Sequence, residues 1–185
     1  MMKVSEKSKC LSLGLTSLAI PLTLISVAAS MSSWFDFYTN ALSDLGHSLR
    51  SNVSPIFNLG VSSGGFLTGI YSLSCVAKVS RPLSYVLTFS GYLLVLVGVF
   101  NESYGYLHSI VSLAFFLSLA ALLTSYYMLR RSVWSVLALL IGIVVWALHL
   151  VYKIPKGAAI PELISIFLVI PFYLSITIYP HEVSR

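Results

Sequence analysis

The sequence has few charged residues, and this shortage excludes a water-soluble domain. Only 9% of its 185 residues are charged and only 6 are acidic, whereas 57% are hydrophobic. A soluble domain carries roughly 25% charged residues, which cover its surface. The low charge therefore predicts an integral membrane protein whose immediate partners are membrane lipids.

Cysteines are also scarce, since only Cys10 and Cys75 are present. Two cysteines are too few for a disulfide framework, and no C-x-x-C pair indicates zinc or redox chemistry. We expect both to be free cysteines that pack inside the protein. The net charge of +5 comes from small groups of Lys and Arg at the ends of apolar runs. These groups indicate membrane topology, and we expect no nucleic acid as a partner.

What the sequence does contain is a series of long apolar runs. A transmembrane helix needs about 20 mainly apolar residues. Because each run satisfies this length, we predict an all-α polytopic membrane protein, a single bundle of six transmembrane helices formed by residues 1–185. The predicted spans cover residues about 10–30, 55–77, 82–101, 105–129, 133–152 and 160–179.

The distribution of Lys and Arg predicts how this bundle is oriented. If the N-terminus is cytoplasmic, 8 of the 11 basic residues lie on the cytoplasmic side. Cytoplasmic loops carry the excess of basic residues in membrane proteins. We therefore expect a multi-pass protein of the cell membrane with both termini in the cytoplasm. The cytoplasmic set is Lys3, Lys7, Lys9, Lys78, Arg81, Arg130, Arg131 and Arg185, and the outer set is Arg50, Lys153 and Lys156.

The long link between the first two spans gathers polar residues that are rare elsewhere. Asp44 and His47 are three residues apart, so on a helical turn both side chains share one face. A carboxylate beside an imidazole can hold a metal or orient a general base. Alternatively, Asp44 caps a short helix and His47 is a hydrated residue of the interface. The aromatic residues of this link predict that it lies ordered at the membrane surface.

Most acids and histidines fall on the predicted outer side. His108 lies inside the fourth span, where an ionisable group normally faces the bundle interior with a partner. Glu162 opens the sixth span, where an acid also suits the positive end of the helix dipole. His149 either contributes to a site or is a neutral histidine bonded to a nearby carbonyl. The outer set is Asp36, Asp44, Glu102 and Glu162 with His47, His108 and His149, and Asn58 lies at the same level.

The second span carries two glycine pairs, Gly60 with Gly64 and Gly65 with Gly69. Small residues at this spacing let helices approach closely in lipid. We expect these glycines to form a seam between helices, which orients Asn58 and the link before it.

Three stretches resemble one family: "NALSDLGHS", "SPIFNLGVSSGGFLTGIY" and "VGVFNESYGYLHSIVSLAFF". They are similar to the domain of unknown function 998 family of multi-pass prokaryotic membrane proteins. The resemblance covers residues 30–120 and includes Asp44, Asn58 and His108, but not His47 or His149. It implies a membrane-embedded helical fold and no established activity.

The riskiest expectation is that Asp44, Glu102 and His108 converge at the outer end of the bundle. They would be the catalytic groups and, with zinc as the best-suited ion, the metal ligands of a membrane-embedded hydrolase acting on a lipid or lipid-linked substrate. A second alternative is a b-type haem held by His108 and His149. The favoured function is an outward-facing polar pocket that binds a lipid, a small ligand or a partner subunit, in an assembly or transport role. The expected ligand-binding residues are Asn58, His47, Arg50, His149 and Glu162.

Overall fold

The computed structural model describes residues 4–178, in which helices are joined by turns and irregular segments and no strand is present. The all-α fold is confirmed, since six helices are long and apolar enough to cross a membrane. Lys3 and Arg185, which enter the topology count, lie outside the described residues. The helices are α1 (Val4–Ser30), α2 (Ser54–Ser74), α3 (Arg81–Val99), α4 (Tyr106–Arg130), α5 (Val133–Tyr152) and α6 (Ala159–Ile178).

Local sequence explains where several helices begin. Pro55 and Pro82 occupy the first turns of α2 and α3, where a missing backbone N–H removes no hydrogen bond. Ser80 caps α3 by accepting a hydrogen bond from the Leu83 amide. Three short 3-10 turns connect or cap the long helices, at Leu42–Gly46, Val76–Lys78 and Glu102–Tyr104.

Five of the six helices form a closed ring. The contacts run from α1 to α2, α3 and α4 in chain order, and α6 closes the ring between α4 and α1. Helix α5 lies outside this ring and packs against α4 and α6. Only 11% of the residues in its most apolar stretch are buried inside the protein, the smallest share among the six described spans. Helix α5 is therefore peripheral.

The glycines of α2 form the expected close helix contacts, with one exception. A Cβ atom at Gly64 would meet Pro21 of α1 at 2.6 Å, and one at Gly65 would meet the backbone oxygen of Gly91 in α3 at 2.5 Å. Gly69, by contrast, has nothing within 4 Å of its added Cβ. The seam therefore involves two neighbours of α2 on opposite sides.

The expectation that Cys10 and Cys75 are free is wrong. Their sulfur atoms are bonded at 2.04 Å, and their Cα atoms are 5.7 Å apart. The reason is antiparallel packing: Cys10 lies near the start of α1, and Cys75 directly follows the end of its neighbour α2. The bond joins these helices at the end of the bundle opposite to residues 31–54.

Candidate functional site

Residues 31–54, here called the cap segment, fold over one end of the bundle, here called the polar end. Its backbone is tied to the start of α6, because Tyr38 O accepts from Gly157 N at 2.8 Å and Asn40 O accepts from Ala159 N at 3.0 Å. A Cβ at Gly157 would lie 2.2 Å from Asn40 O, so only glycine allows this approach. The cap segment is therefore ordered by contacts with a helix more than a hundred residues away in sequence.

Asp44 stabilises the cap segment itself. Its Oδ2 accepts hydrogen bonds from the Ala41 amide at 2.9 Å and from Asn40 Nδ2 at 3.0 Å. His47 uses Nδ1 to accept from the Leu49 amide at 3.3 Å, and Arg50 lies exposed on the rim. Asp44 and His47 therefore bond to different neighbours within the cap segment. This arrangement agrees with the alternative in which Asp44 caps a short helix.

Asn58 connects the cap segment to α2. Its Nδ2 donates to Gly46 O at 2.9 Å, and among the described residues its buried Oδ1 has no hydrogen-bond partner. A Cβ at Gly46 would meet that Oδ1 at 2.6 Å, so the cap segment and α2 are in close contact here. Asn58 positions the 3-10 turn that carries Leu42 and Ser43.

Glu102 and His108 form the central pair of the polar end. Glu102 Oε2 is 3.0 Å from His108 Nε2 and also accepts from Ser43 Oγ at 3.1 Å. The two residues meet because the chain reverses at Gly105, whose φ of 55° favours glycine. His108 is 5% exposed and Glu102 is 31% exposed. The hydrogen bond from His108 lowers the pKa of the Glu102 carboxyl below its usual range, although partial burial opposes this shift.

The hydrogen bonds around His108 define its protonation state. Nδ1 lies 2.7 Å from Phe100 O, which can only accept, so Nδ1 carries a proton. Nε2 faces the Glu102 carboxylate and Ser112 Oγ, the latter at 3.1 Å. Since an ionised carboxylate also only accepts, Nε2 carries a proton as well. Beside an ionised Glu102, His108 is therefore an imidazolium that donates from both ring nitrogens.

Glu162 is the most buried acid of this region. Its side chain comes from the first turn of α6, the residue is 8% exposed, and its Oε2 accepts from the Leu42 amide at 2.7 Å. His108, Asp44 and Glu102 are all near enough to interact with it electrostatically. The cap segment therefore covers Glu162, which a position at a helix start does not by itself predict.

The predicted convergence of three side chains is seen for two of them. Glu102 contacts His108, whereas Asp44 forms hydrogen bonds within the cap segment. Within residues 4–178, no group of three or more His, Cys, Asp or Glu side chains is placed to hold a metal ion. The structure shows Glu102 and His108 as one ion pair beside a capping aspartate, and the catalytic and zinc-binding roles of Asp44, Glu102 and His108 stay predictions.

Of the two predicted haem ligands, His108 has both ring nitrogens hydrogen-bonded, whereas His149 is bonded through Nδ1. His149 Nδ1 lies 2.9 Å from Pro155 O, which matches the alternative of a histidine bonded to a carbonyl. His108 uses both ring nitrogens, as described above. An axial haem ligand needs a free imidazole nitrogen, so the arrangement at His108 does not fit that cofactor.

A large pocket lies directly below this polar end, between α4, α5 and α6. Its volume is about 680 Å³, within the roughly 300–1,000 Å³ typical of ligand sites. Its long walls are apolar, and Glu162, Ser109, Ser112 and Ser165 line it as polar groups. Four apolar wall residues are 56–61% exposed, so the pocket opens sideways between α4 and α5, at Leu113, Leu117, Ile143 and Leu150.

Sequence reasoning missed the serines and the tryptophan of this site. Ser112 bonds His108, and Ser165 accepts from Trp146 Nε1 at 2.9 Å while it donates to Pro161 O at 2.8 Å. Ser112 lies one helical turn after His108, so an i, i+4 search around the buried histidine would have found it. The pairing of Trp146 with Ser165 has no comparable signal, because it depends on how α5 packs against α6.

Comparison with known proteins gives one result. A family model described as "Protein of unknown function (DUF998)" matches residues 16–178. The match includes the cap segment, the ion pair and all helices that line the pocket. No curated protein and no solved structure matches the chain.

Proposed function

Since this chain belongs to the DUF998 family, whose function is unknown, its role must be inferred from its own site, and we propose that it binds a lipid-like amphiphile. The occupant lies in the α4–α5–α6 pocket with its apolar chain between the helices. Its polar end lies beside Glu162, under the cap segment. The observation that carries this proposal is one pocket with apolar walls, an opening between two helices and a buried carboxyl group.

Each part of the pocket matches one part of such a molecule. Apolar walls that face a bilayer gain little from excluding water, so they suit an occupant that is already in the membrane. The hydrogen bond from the Leu42 amide uses Oε2 of Glu162, so a polar head group in the pocket can bond to Oε1. A water-soluble ligand would leave the apolar walls unmatched.

Binding explains the polar end better than hydrolysis does. A hydrolase of the kind considered above needs a free base or a metal-bound water. His108 already carries both protons and Asp44 is committed to the cap segment. The ion pair instead fixes the start of α4 beside the pocket, which is a structural contribution to binding.

The proposal includes an orientation. The described basic residues Lys7, Lys9, Lys78, Arg81, Arg130 and Arg131 lie at the end opposite to the cap segment. We therefore place that end in the cytoplasm and the polar end on the outer side of the cell membrane. The amphiphile would then enter from the outer leaflet.

Filling the pocket tests the proposal. An added Cβ at Gly142 has only one neighbour, Leu168 Cδ1 at 3.9 Å, so Gly142→Phe would occupy the pocket without moving the backbone. Val144→Phe is the matched control, because Val144 is 55% exposed on the same helix and does not line the pocket. Native mass spectrometry should find one retained amphiphile on the wild type and on the control, but not on Gly142→Phe. Equal retention by all three proteins would refute the proposed site.

A further inference from the structure

The polar end of the pocket is rich in hydrogen-bond acceptors. Glu162 Oε2 accepts from the Leu42 amide, and no hydrogen bond from any described residue reaches its Oε1. Ser109 donates its hydroxyl hydrogen to Gly105 O at 3.3 Å, and Ser165 donates to Pro161 O. These groups can therefore offer a ligand mainly hydrogen-bond acceptors, namely oxygen lone pairs. A head group that donates hydrogen bonds satisfies them.

The same region lacks the groups that bind an anion. None of the described residues that line the pocket is Lys or Arg. The imidazolium of His108 is already neutralised by Glu102, and Arg50 is exposed on the rim. Phosphate and carboxylate groups in proteins are bound by Arg, Lys or several converging amides. The start of α6 does not supply several such amides, because the Ala159 amide donates to Asn40 O, the Glu162 amide donates to Ala158 O, and Pro161 has no N–H.

The local charge also favours a cation. Glu162 interacts with the carboxyl groups of Asp44 and Glu102, and His108 is the cationic partner that accompanies them. A positive charge on the ligand would be attracted to these carboxyl groups.

Resting on the proposed function, we infer that the occupant of the α4–α5–α6 pocket carries an ammonium head group on an apolar chain. The ammonium group donates to Glu162 Oε1 and forms an ion pair with it. The chain extends away from the polar end, along the apolar walls of α4 and α5. The ligand class is thus a long-chain amine or an amine-headed lipid, and a lipid whose head group is an anionic phosphate without an amine does not fit.

Trp146 provides a reporter inside this pocket. The other tryptophans, Trp34 and Trp134, are 45% and 74% exposed, so replacing both with Phe leaves Trp146 as the single fluorophore. This protein would be reconstituted in phosphatidylcholine vesicles and titrated with dodecylamine, dodecanol and monododecyl phosphate. The three probes share one chain and differ only in the head group.

We expect dodecylamine to bind about tenfold or more tightly than either other probe, as a charge-assisted hydrogen bond predicts. Glu162→Gln should remove this preference, because the amide can still accept from Leu42 but carries no charge. Asp36→Asn is the control, since Asp36 lies in the cap segment and its Oδ1 bonds the Tyr38 and Thr39 amides. It should leave the preference unchanged.

The outcomes separate the two proposals. If all three probes bind equally and Gly142→Phe abolishes their binding, the pocket stands and the ammonium inference is overturned. Tighter binding of monododecyl phosphate, or an amine preference that survives Glu162→Gln, overturns the inference as well. If Gly142→Phe leaves the binding of every probe unchanged, the pocket proposal itself fails.

Discussion

Replacing His108 with alanine should destabilise the folded protein by about 2–3 kcal/mol. The imidazole contacts Glu102, Phe100 O and Ser112 at 2.7–3.1 Å. Hydrogen bonds between transmembrane helices contribute about 0.6 kcal/mol on average and at most about 1.7, and charge-assisted bonds are roughly twice as strong as neutral ones. Breaking a fully buried ion pair costs about 3–5 kcal/mol. The cost here is smaller, because Glu102 is 31% exposed and water can reach it.

The partner variant Glu102→Gln should cost less, about 1 kcal/mol. Its amide oxygen can still accept from Ser43 and His108, so only the charge is lost. In a double-mutant cycle the coupling between positions 102 and 108 should then be about 1–2 kcal/mol. A coupling near zero would mean that the two side chains do not form a pair in the membrane.

The stability gap between the wild type and Glu102→Gln should depend on pH. The pKa of Glu102 is lowered in the folded state, so its ionised form is stabilised by folding. This contribution is fully present above the ordinary pKa of about 4.3 and is lost as the pH falls through the lowered folded value. The gap should therefore close progressively as the pH falls below about 4.

The measurement is reversible unfolding in mixed micelles, followed by helical circular dichroism. His149→Ala is the control, because His149 is also a partly buried histidine near the polar end. Its ring is hydrogen-bonded to Pro155 O through Nδ1. If His108→Ala costs no more than His149→Ala, or if the gap for Glu102→Gln widens in acid, the ion-pair interpretation is refuted.

Three further predictions concern the rest of the bundle. An impermeant thiol reagent applied to intact cells should label a cysteine placed at Ser48 and miss one placed at Arg81, and the reverse pattern would invert the proposed topology. Gly65→Ala should cost about 3 kcal/mol, because its Cβ would overlap the backbone of α3, whereas Gly69→Ala should stay within about 0.5 kcal/mol; equal unfolding midpoints would contradict this packing. Gly157→Ala should speed tryptic cleavage of the cap segment, since its Cβ would push that segment off α6, and cleavage at the wild-type rate would show that the contact does not hold the cap in place.

The helices could be predicted from sequence because hydrophobicity acts locally. Apolar runs of about 20 residues identify spans without knowledge of their neighbours, and the helix-starting prolines Pro55 and Pro82 add to this signal. A buried histidine in a span also predicts a nearby partner, and Glu102 is close in sequence. These parts of the fold and the site need only short-range information.

What could not be predicted depends on contacts between distant parts of the chain. Leu42 and Glu162 are 120 residues apart, so the burial of Glu162 follows from the cap segment folding over α6. The disulfide needs the antiparallel register of α1 and α2, which brings Cys10 to Cys75 across 65 residues. Asp44 accepts from the nearby Ala41 amide, and the sequence alone could not decide between this capping role and a place beside His108.

The peripheral position of α5 decides how this protein can change shape. Two short connections, residues 131–132 and 153–158, join α5 to the ring. Tilting this single helix would alter the width of the pocket while the five-helix ring, the disulfide and the cap segment keep their contacts. On the proposed function, widening the opening between α4 and α5 for an amphiphile requires a shift of α5 alone. Substitutions on the inner face of α5 can reshape the chamber for chains of another length, and the ring need not repack.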